Sequence, residues 1–234
     1  MALLRGLADL LFPPACQVCR EPGPAVLCPT CRERFRLIRP PVCQRCGKPL
    51  RGPPTLIFTC IPCRHRRLHF KHARAAGVFE GPLRDAIHAL KFRGRTALSE
   101  PLGRLMVDTA PVHSLVRGCE VVVPVPLHPR RLAERGFNQS ELLAREVAAA
   151  LRLPLDIGIL QRTRSTAPQT DLPLTERKIN VRQAFEATAP PTGSILLVDD
   201  VLSTGYTAAA CAGALRRGGA REVIVLALAR TVLE

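Results

Sequence analysis

Apolar positions along the chain are scattered up to about residue 74 and periodic after it. "CEVVVPVPL" (119–127) is a β-branched run ending in prolines, which predicts a buried strand that stops at a rigid loop. "SILLVDD" (194–200) predicts a central strand and "EVIVLALAR" (222–230) a closing one, while "AAGVFEGPL" (75–83) predicts a short strand and a turn. Between these runs the period changes. "LRDAIHALKF" places Leu83, Ala86, Ile87 and Leu90 at helical spacing, and a second helix is predicted over 98–109. "SELLAREVAAAL" (140–151) is an amphipathic helix with Asn138 or Ser140 as its cap, and 207–217 forms another that stops at Gly218 and Gly219. Strand and helix in alternation imply an α/β fold, a mostly parallel sheet with helices on both faces. In such a sheet the ligand lies beyond the carboxyl ends of the strands.

The aperiodic part predicts a different unit, so the chain divides into 1–70 and 71–234. Eight of the ten cysteines fall in four CxxC turns: Cys16/Cys19, Cys28/Cys31, Cys43/Cys46 and Cys60/Cys63. Two such turns supply the tetrahedral four-sulfur cage that zinc prefers. Sequential pairing predicts two tandem zinc ribbons, although the short first interval leaves an interleaved pairing open. Four thiolates leave no coordination position for a substrate, so the two Zn²⁺ ions are structural. The segment 13–64 also has few large apolar side chains and needs metal to hold its shape. His65, His69 and His72 lie in the basic stretch 64–74, which reads as an exposed connector rather than a source of ligands.

The start of the chain predicts a short amphipathic helix with Leu3, Leu4, Leu7, Leu10 and Leu11 on one side. Arg5 and Asp9 interrupt it, Pro13 and Pro14 stop it, and no cleavage site follows. No run approaches the 18 or so apolar residues of a membrane span. The expected location is therefore cytoplasmic, with contact to the inner face of the membrane as a lesser option. Reducing surroundings also favour metal over disulfides for the cysteines.

Charge narrows the partners without naming them. The formal net charge is +15, which favours nucleic acid, phosphorylated ligands or an anionic surface, although solvated arginine faces would produce the same balance. Two zinc-thiolate centres would lower it to about +11. With no Trp and one Tyr, stacking platforms for single-stranded DNA are limited to Phe35, Phe58, Phe70 and Phe92.

The chemistry concentrates after the predicted central strand, where Asp199 and Asp200 are followed by Ser203, Thr204, Gly205, Tyr206 and Thr207. A hydroxyl-rich turn that opens a helix directs free amides and the positive helix end at one small volume. It has no GxxxxGK and no lysine, so it suits a terminal monophosphate better than a triphosphate. The two carboxylates would then accept hydrogen bonds from sugar hydroxyls.

These residues are similar to the phosphoribosyl-pyrophosphate signature of type I phosphoribosyltransferases. Together with "LFPPACQVC", "HALKFRG" (88–94), "VVPVPLHPRRLAERGFNQS" (122–140) and "RTRSTAPQTDLPLTERKINVRQAF" (162–185), the chain resembles the ComF (ComFC) family of competence-associated proteins. The resemblance implies a type I phosphoribosyltransferase-like domain behind a double zinc ribbon, with phosphoribosyl pyrophosphate and Mg²⁺ as ligands. It assigns Asp199 and Asp200 to the ribose hydroxyls, and Ser203, Thr204, Gly205 and Thr207, with Tyr206 between them, to the 5-phosphate. It assigns Val125, Pro126, Leu127 and His128 to the pyrophosphate loop, Arg130, Arg131 and Arg135 to the leaving group, and Lys91 and Arg93 to anionic oxygens. His128 is expected to bond backbone or phosphate rather than act as a base. Residues 162–180, with Pro168 and Pro173, would form a closing loop. The family further implies a role in DNA uptake, with single-stranded DNA and other competence proteins as partners. Phosphoribosyl transfer to an unidentified acceptor is the leading expectation, and a non-catalytic DNA-binding module that senses the sugar phosphate is the alternative. A glutamine-using amidotransferase is not expected, because Met1 and Ala2 lead into a helix rather than a glutaminase domain.

Overall fold

The computed structural model describes residues 14–53, 58–109, 112–163 and 184–232. The predicted helix at 3–11 and the predicted closing loop beyond Thr163 lie outside these residues. The element order is α1 (Pro29–Glu33), α2 (Ile61–Arg64), β1 (His72–Val78), α3 (Gly81–Phe92), a 3₁₀ turn (Thr96–Leu98), α4 (Ser99–Asp108) and α5 (Val112–Leu115). There follow β2 (Val121–Pro124), α6 (Pro129–Arg135), α7 (Gln139–Leu151), β3 (Leu160–Arg162), β4 (Phe185–Ala187), β5 (Ser194–Leu202), α8 (Tyr206–Gly218) and β6 (Glu222–Arg230). The main sheet has the order β1-β6-β5-β2, and all its pairings are parallel.

β5 and β6 are the inner strands, which explains why their apolar runs do not alternate. Successive side chains still face opposite layers. Ile195, Leu197, Val223 and Val225 pack with α8 and the small antiparallel β3–β4 pair. Leu196, Val198, Ile224 and Leu226 pack with α3, α4 and α7. Burying each such side chain contributes roughly 1.5–3 kcal/mol, whereas strand preference spans only about 1 kcal/mol. The run before Asp199 therefore carries both aspartates into the strand, and β5 continues to Leu202.

Both outer strands are covered. At the β2 edge, Val122 N donates to Pro154 O at 2.8 Å and Asp156 N donates to Val122 O at 2.9 Å. At the β1 edge, the cysteine-rich segment supplies the partner: Ile38 N donates to Ala76 O at 2.9 Å and Val78 N to Arg36 O at 2.8 Å. Further along, Ala73 N donates to Arg45 O at 2.7 Å. Gly47 makes this approach possible, since it has a φ of +70° and a Cβ there would lie 2.6 Å from Ala73 O.

The basic stretch differs from its predicted form. Leu68 and Phe70 are buried, and His72 already begins β1. Two apolar side chains among the arginines were enough to dock it against the second cysteine cluster, in one core with Cys43, Cys46, Cys60, Cys63, Ala73 and Ala75. Phe35 and Phe70 are also core residues, so of the four predicted stacking candidates only Phe58 and Phe92 are exposed.

Candidate functional site

The two aspartates lie where the carboxyl edge of β5 meets the first turn of α7 and the last turn of α3. They are 7% and 4% exposed. Ser140 Oγ donates to Asp199 Oδ1 at 3.0 Å. The serine is free to do so because Asn138 is the cap of α7, accepting from Ser140 N at 3.0 Å. Asp200 Oδ2 forms an ion pair with Lys91 Nζ, and its Oδ1 accepts from Val201 N at 2.9 Å. Burial pushes the Asp199 carboxyl up to about 7, and the neighbouring Asp200 charge adds to the shift; Lys91, the Asp200 amide and Ser140 oppose it. The site thus holds one carboxyl poised to change charge near neutrality.

Beyond β5 the chain turns at Ser203 and Thr204 into Gly205, which adopts a φ of +80° and stands at the N-terminus of α8 with no side-chain cap. Thr204 Oγ1 is buried and has no hydrogen-bond partner among the described residues. Tyr206 and Thr207 open the helix, so uncapped amides and an unused hydroxyl meet in one turn. Sequence reasoning missed one neighbour. Arg66 Nη1 donates to Thr204 O at 3.3 Å, and the Arg66 guanidinium lies 4.7 Å from the Tyr206 ring centroid. Nothing in "RHRRLHFKHAR" distinguishes Arg66 from Arg64 or Arg67.

The loop after β2 starts beside the carboxyl half of β5, because β2 and β5 are neighbours with Pro124 opposite Val198. Val125 is buried; its N donates to Val198 O at 2.9 Å, and its carbonyl accepts from Asn138 Nδ2 at 3.1 Å. Pro126, Leu127 and His128 are half-buried. His128 caps α6, with Nδ1 accepting from Arg130 N at 3.2 Å. Arg135 stacks over Phe92 at 5.3 Å and donates to Gln139 Oε1. Burial lowers its pKa, while the charge of Asp200 opposes that shift and Arg131 adds to it. Arg131 is thus a close cationic neighbour of Arg135, and it has the same effect on Arg162. Arg162 at the end of β3 lies 5.6 Å from the Phe185 ring. Lys91 and Arg135 therefore lie close to Asp200, with Arg131 next to Arg135. Arg130 does not join them; it points outward to Glu134 at 3.1 Å. Arg93 is exposed at the end of α3.

The cysteines form two clusters, Cys16/Cys19/Cys28/Cys31 and Cys43/Cys46/Cys60/Cys63, with all sulfur atoms of a cluster within 4.8 Å of one another. This is the sequential pairing, and the all-thiolate donor sets fit structural Zn²⁺. Backbone amides orient the sulfurs: Cys28 N donates to Cys16 Sγ at 3.4 Å and Cys60 N to Cys43 Sγ at 3.3 Å. At the second cluster the buried Arg230 donates from Nη1 to Cys46 O at 2.7 Å, and its Nη2 lies 3.6 Å from Cys46 Sγ. A zinc centre with four thiolates carries a formal charge of −2, which a buried guanidinium offsets. None of His65, His69 and His72 belongs to a cluster among the described residues.

Residues 7–64 match the family model described as a double zinc ribbon domain. The chain is 34% identical over 230 residues to the "DNA utilization protein YhgH" of Salmonella typhi, covering 95% of this chain and all of that one. It belongs to the ComF family. Other ComF-type relatives include "Competence protein F" of Haemophilus influenzae, 32% identical with 66% of this chain and 70% of that one covered. "Competence protein ComFC" of Bacillus subtilis is 27% identical over 88% of this chain and 84% of its own length. Among solved structures, the glutamine phosphoribosylpyrophosphate amidotransferase of B. subtilis is similar to 56% of this ComF-family chain, at 23% identity and a TM-score of 0.38, and the match spans 26% of that enzyme. No described helix is long and apolar enough to cross a membrane.

Proposed function

We propose that this chain binds phosphoribosyl pyrophosphate with Mg²⁺ at the carboxyl edge of β5 and β2, transfers the phosphoribosyl group to a nitrogen acceptor, and acts in DNA uptake. The observation that carries the reading is the joining of two buried carboxylates to an uncapped hydroxyl-glycine turn, with Lys91 and Arg135 beside Asp200. The names of the relatives, which speak of competence and DNA utilization, support the cellular setting.

In this reading the amides and hydroxyls of Ser203, Thr204, Gly205, Tyr206 and Thr207 hold the 5-phosphate. Asp199 and Asp200 accept from the ribose hydroxyls. Val125, Pro126, Leu127 and His128 line the pyrophosphate side, where Lys91, Arg131 and Arg135 stabilise the departing charge. Arg130 would have to leave Glu134 to assist. Mg²⁺, held mostly by ligand oxygens and water, would supply further neutralisation of the pyrophosphate. The bond from the anomeric carbon to pyrophosphate breaks with its electron pair, a nitrogen lone pair forms the new bond from the opposite face, and the nitrogen proton passes to solvent. Little acid–base chemistry is required.

Calorimetric titration with phosphoribosyl pyrophosphate and Mg²⁺ tests the reading. Asp199→Asn combined with Asp200→Asn is expected to weaken binding by about 10²-fold or more, since two charged hydrogen-bond acceptors are lost, with the melting temperature nearly preserved. Unchanged affinity would refute the assignment. Pyrophosphate release from the labelled ligand, offered with pooled bases and amines, reports turnover.

A second reading, a non-catalytic single-stranded-DNA module, is favoured by the exposed Phe58 and Ile61 on the second ribbon, with Arg64 4.7 Å from the Phe58 ring. It predicts sequence-independent binding that falls steeply with salt and is indifferent to the double asparagine variant. Salt-insensitive binding would count against it.

A further inference from the structure

Two arginines from distant parts of the chain tie the second cysteine cluster to the phosphate turn. Arg66 lies just beyond α2, the short helix that carries the last ligand of that cluster, Cys63. It holds the turn twice, through the hydrogen bond to Thr204 O and through the contact with the Tyr206 ring. Arg230 makes the second tie. It ends β6 beside Leu202 of β5, and the next residue donates from Thr231 N to Leu202 O at 3.2 Å, one position before Ser203. Its guanidinium meanwhile holds the Cys46 carbonyl and lies against the Cys46 sulfur.

The turn needs such support. Gly205 gives it a left-handed residue without a side chain, α8 has no side-chain cap, and Thr204 Oγ1 has no partner among the described residues. A guanidinium carries five N–H donors in a rigid fork. Arg66 uses one on Thr204 and brings a positive charge to the turn that would receive a phosphate.

We propose that Arg66 completes the phosphate-binding turn from the ribbon side, so that the folded second Cys₄ centre sets the affinity for the ligand's terminal phosphate. The inference rests on the sugar-phosphate reading above and adds a positioning residue that lies outside the strand–turn–helix motif. Linkage is reciprocal, so a ligand held by this turn must also strengthen metal retention by the centre.

Ribose 5-phosphate and inorganic pyrophosphate, titrated separately into the zinc-loaded full chain, test it. Arg66→Ala is expected to weaken ribose 5-phosphate binding about tenfold, the effect of one charged hydrogen bond, and to leave pyrophosphate binding within about twofold. Arg66→Lys should recover part of the loss and serves as the measurable variant if the alanine form does not fold. Arg64→Ala, whose contacts stay within the ribbon at Thr59 O and the Phe58 ring, should match the wild type. Ribose 5-phosphate should also slow zinc release to a chromogenic chelator in the wild type and not in Arg66→Ala. Wild-type ribose 5-phosphate affinity in Arg66→Ala, equal losses for both probes, or no slowing of zinc release each overturns the inference while leaving the sugar-phosphate reading intact. A wild-type chain that binds neither probe overturns that reading, and the inference with it.

Discussion

Asp199 is the residue on which the site's pH behaviour depends. Its carboxyl titrates near 7 because burial and the Asp200 charge outweigh Lys91 and Ser140. An acid raised above its unfolded value holds a proton in the folded state that the unfolded chain has already lost. Stability contributed by this group therefore falls as pH rises from about 4 to about 7, and levels off above that. Melting temperatures measured from pH 5 to 8 should decline more for the wild type than for Asp199→Asn; parallel curves would exclude titration of Asp199 in that window. Ligand affinity should move the opposite way. Sugar hydroxyls donate best to the ionised carboxylate, so binding should strengthen from pH 6 to 8 in the wild type and flatten in the asparagine variant.

At the scale of elements, the turns depend on close approach as much as on backbone shape. Gly47 and Gly205 share nearly the same left-handed φ, yet their surroundings differ. A Cβ on Gly205 meets nothing within 4 Å, whereas one on Gly47 would collide with the backbone of β1. Gly205→Ala is expected to cost about 1–2 kcal/mol of stability from backbone conformation alone. Gly47→Ala should cost at least about twice that, because the Arg45–Ala73 hydrogen bond would be forced apart as well. Denaturant unfolding of the two variants measures the difference, and equal costs would show that the ribbon does not press on the sheet edge. The caps of α6 and α7 follow a similar economy of position: His128 and Asn138 hold the helix ends, leaving Ser140 to reach Asp199.

At the scale of the whole molecule, the cysteine-rich region acts as the outer partner of β1 and as part of the core beneath β6. Metal analysis should find about two zinc ions per chain. Stripping them with a strong chelator should release 36–45 from the sheet and expose the edge of β1, an unpaired edge that favours aggregation. Light scattering that stays flat on zinc removal, with far-ultraviolet circular dichroism unchanged, would show that the sheet keeps its cover without metal. The net charge of +15 spreads over this assembly, and at the aspartates it is focused by Lys91 and Arg135 beside Asp200.

The parts determined by the sequence alone are those whose information is contiguous. β5 and β6 were legible because uninterrupted apolar runs need no distant partner to identify them, and β6 lies at the predicted residues. The eight paired cysteines and the Asp-Asp–hydroxyl-glycine turn were legible for the same reason, since their chemistry lies within a few residues. Tertiary structure alone decided which cysteine pairs share a centre, and it alone gave Ser140 to Asp199 across 59 residues and Arg66 to Thr204 across 138. It also buried Phe35 and Phe70, which composition had left among the stacking candidates. An arginine in a run of arginines carries no local mark of its partner. Packing chooses it, by bringing Arg66 within reach of the Thr204 carbonyl and the Tyr206 ring while Arg64 stays within the ribbon.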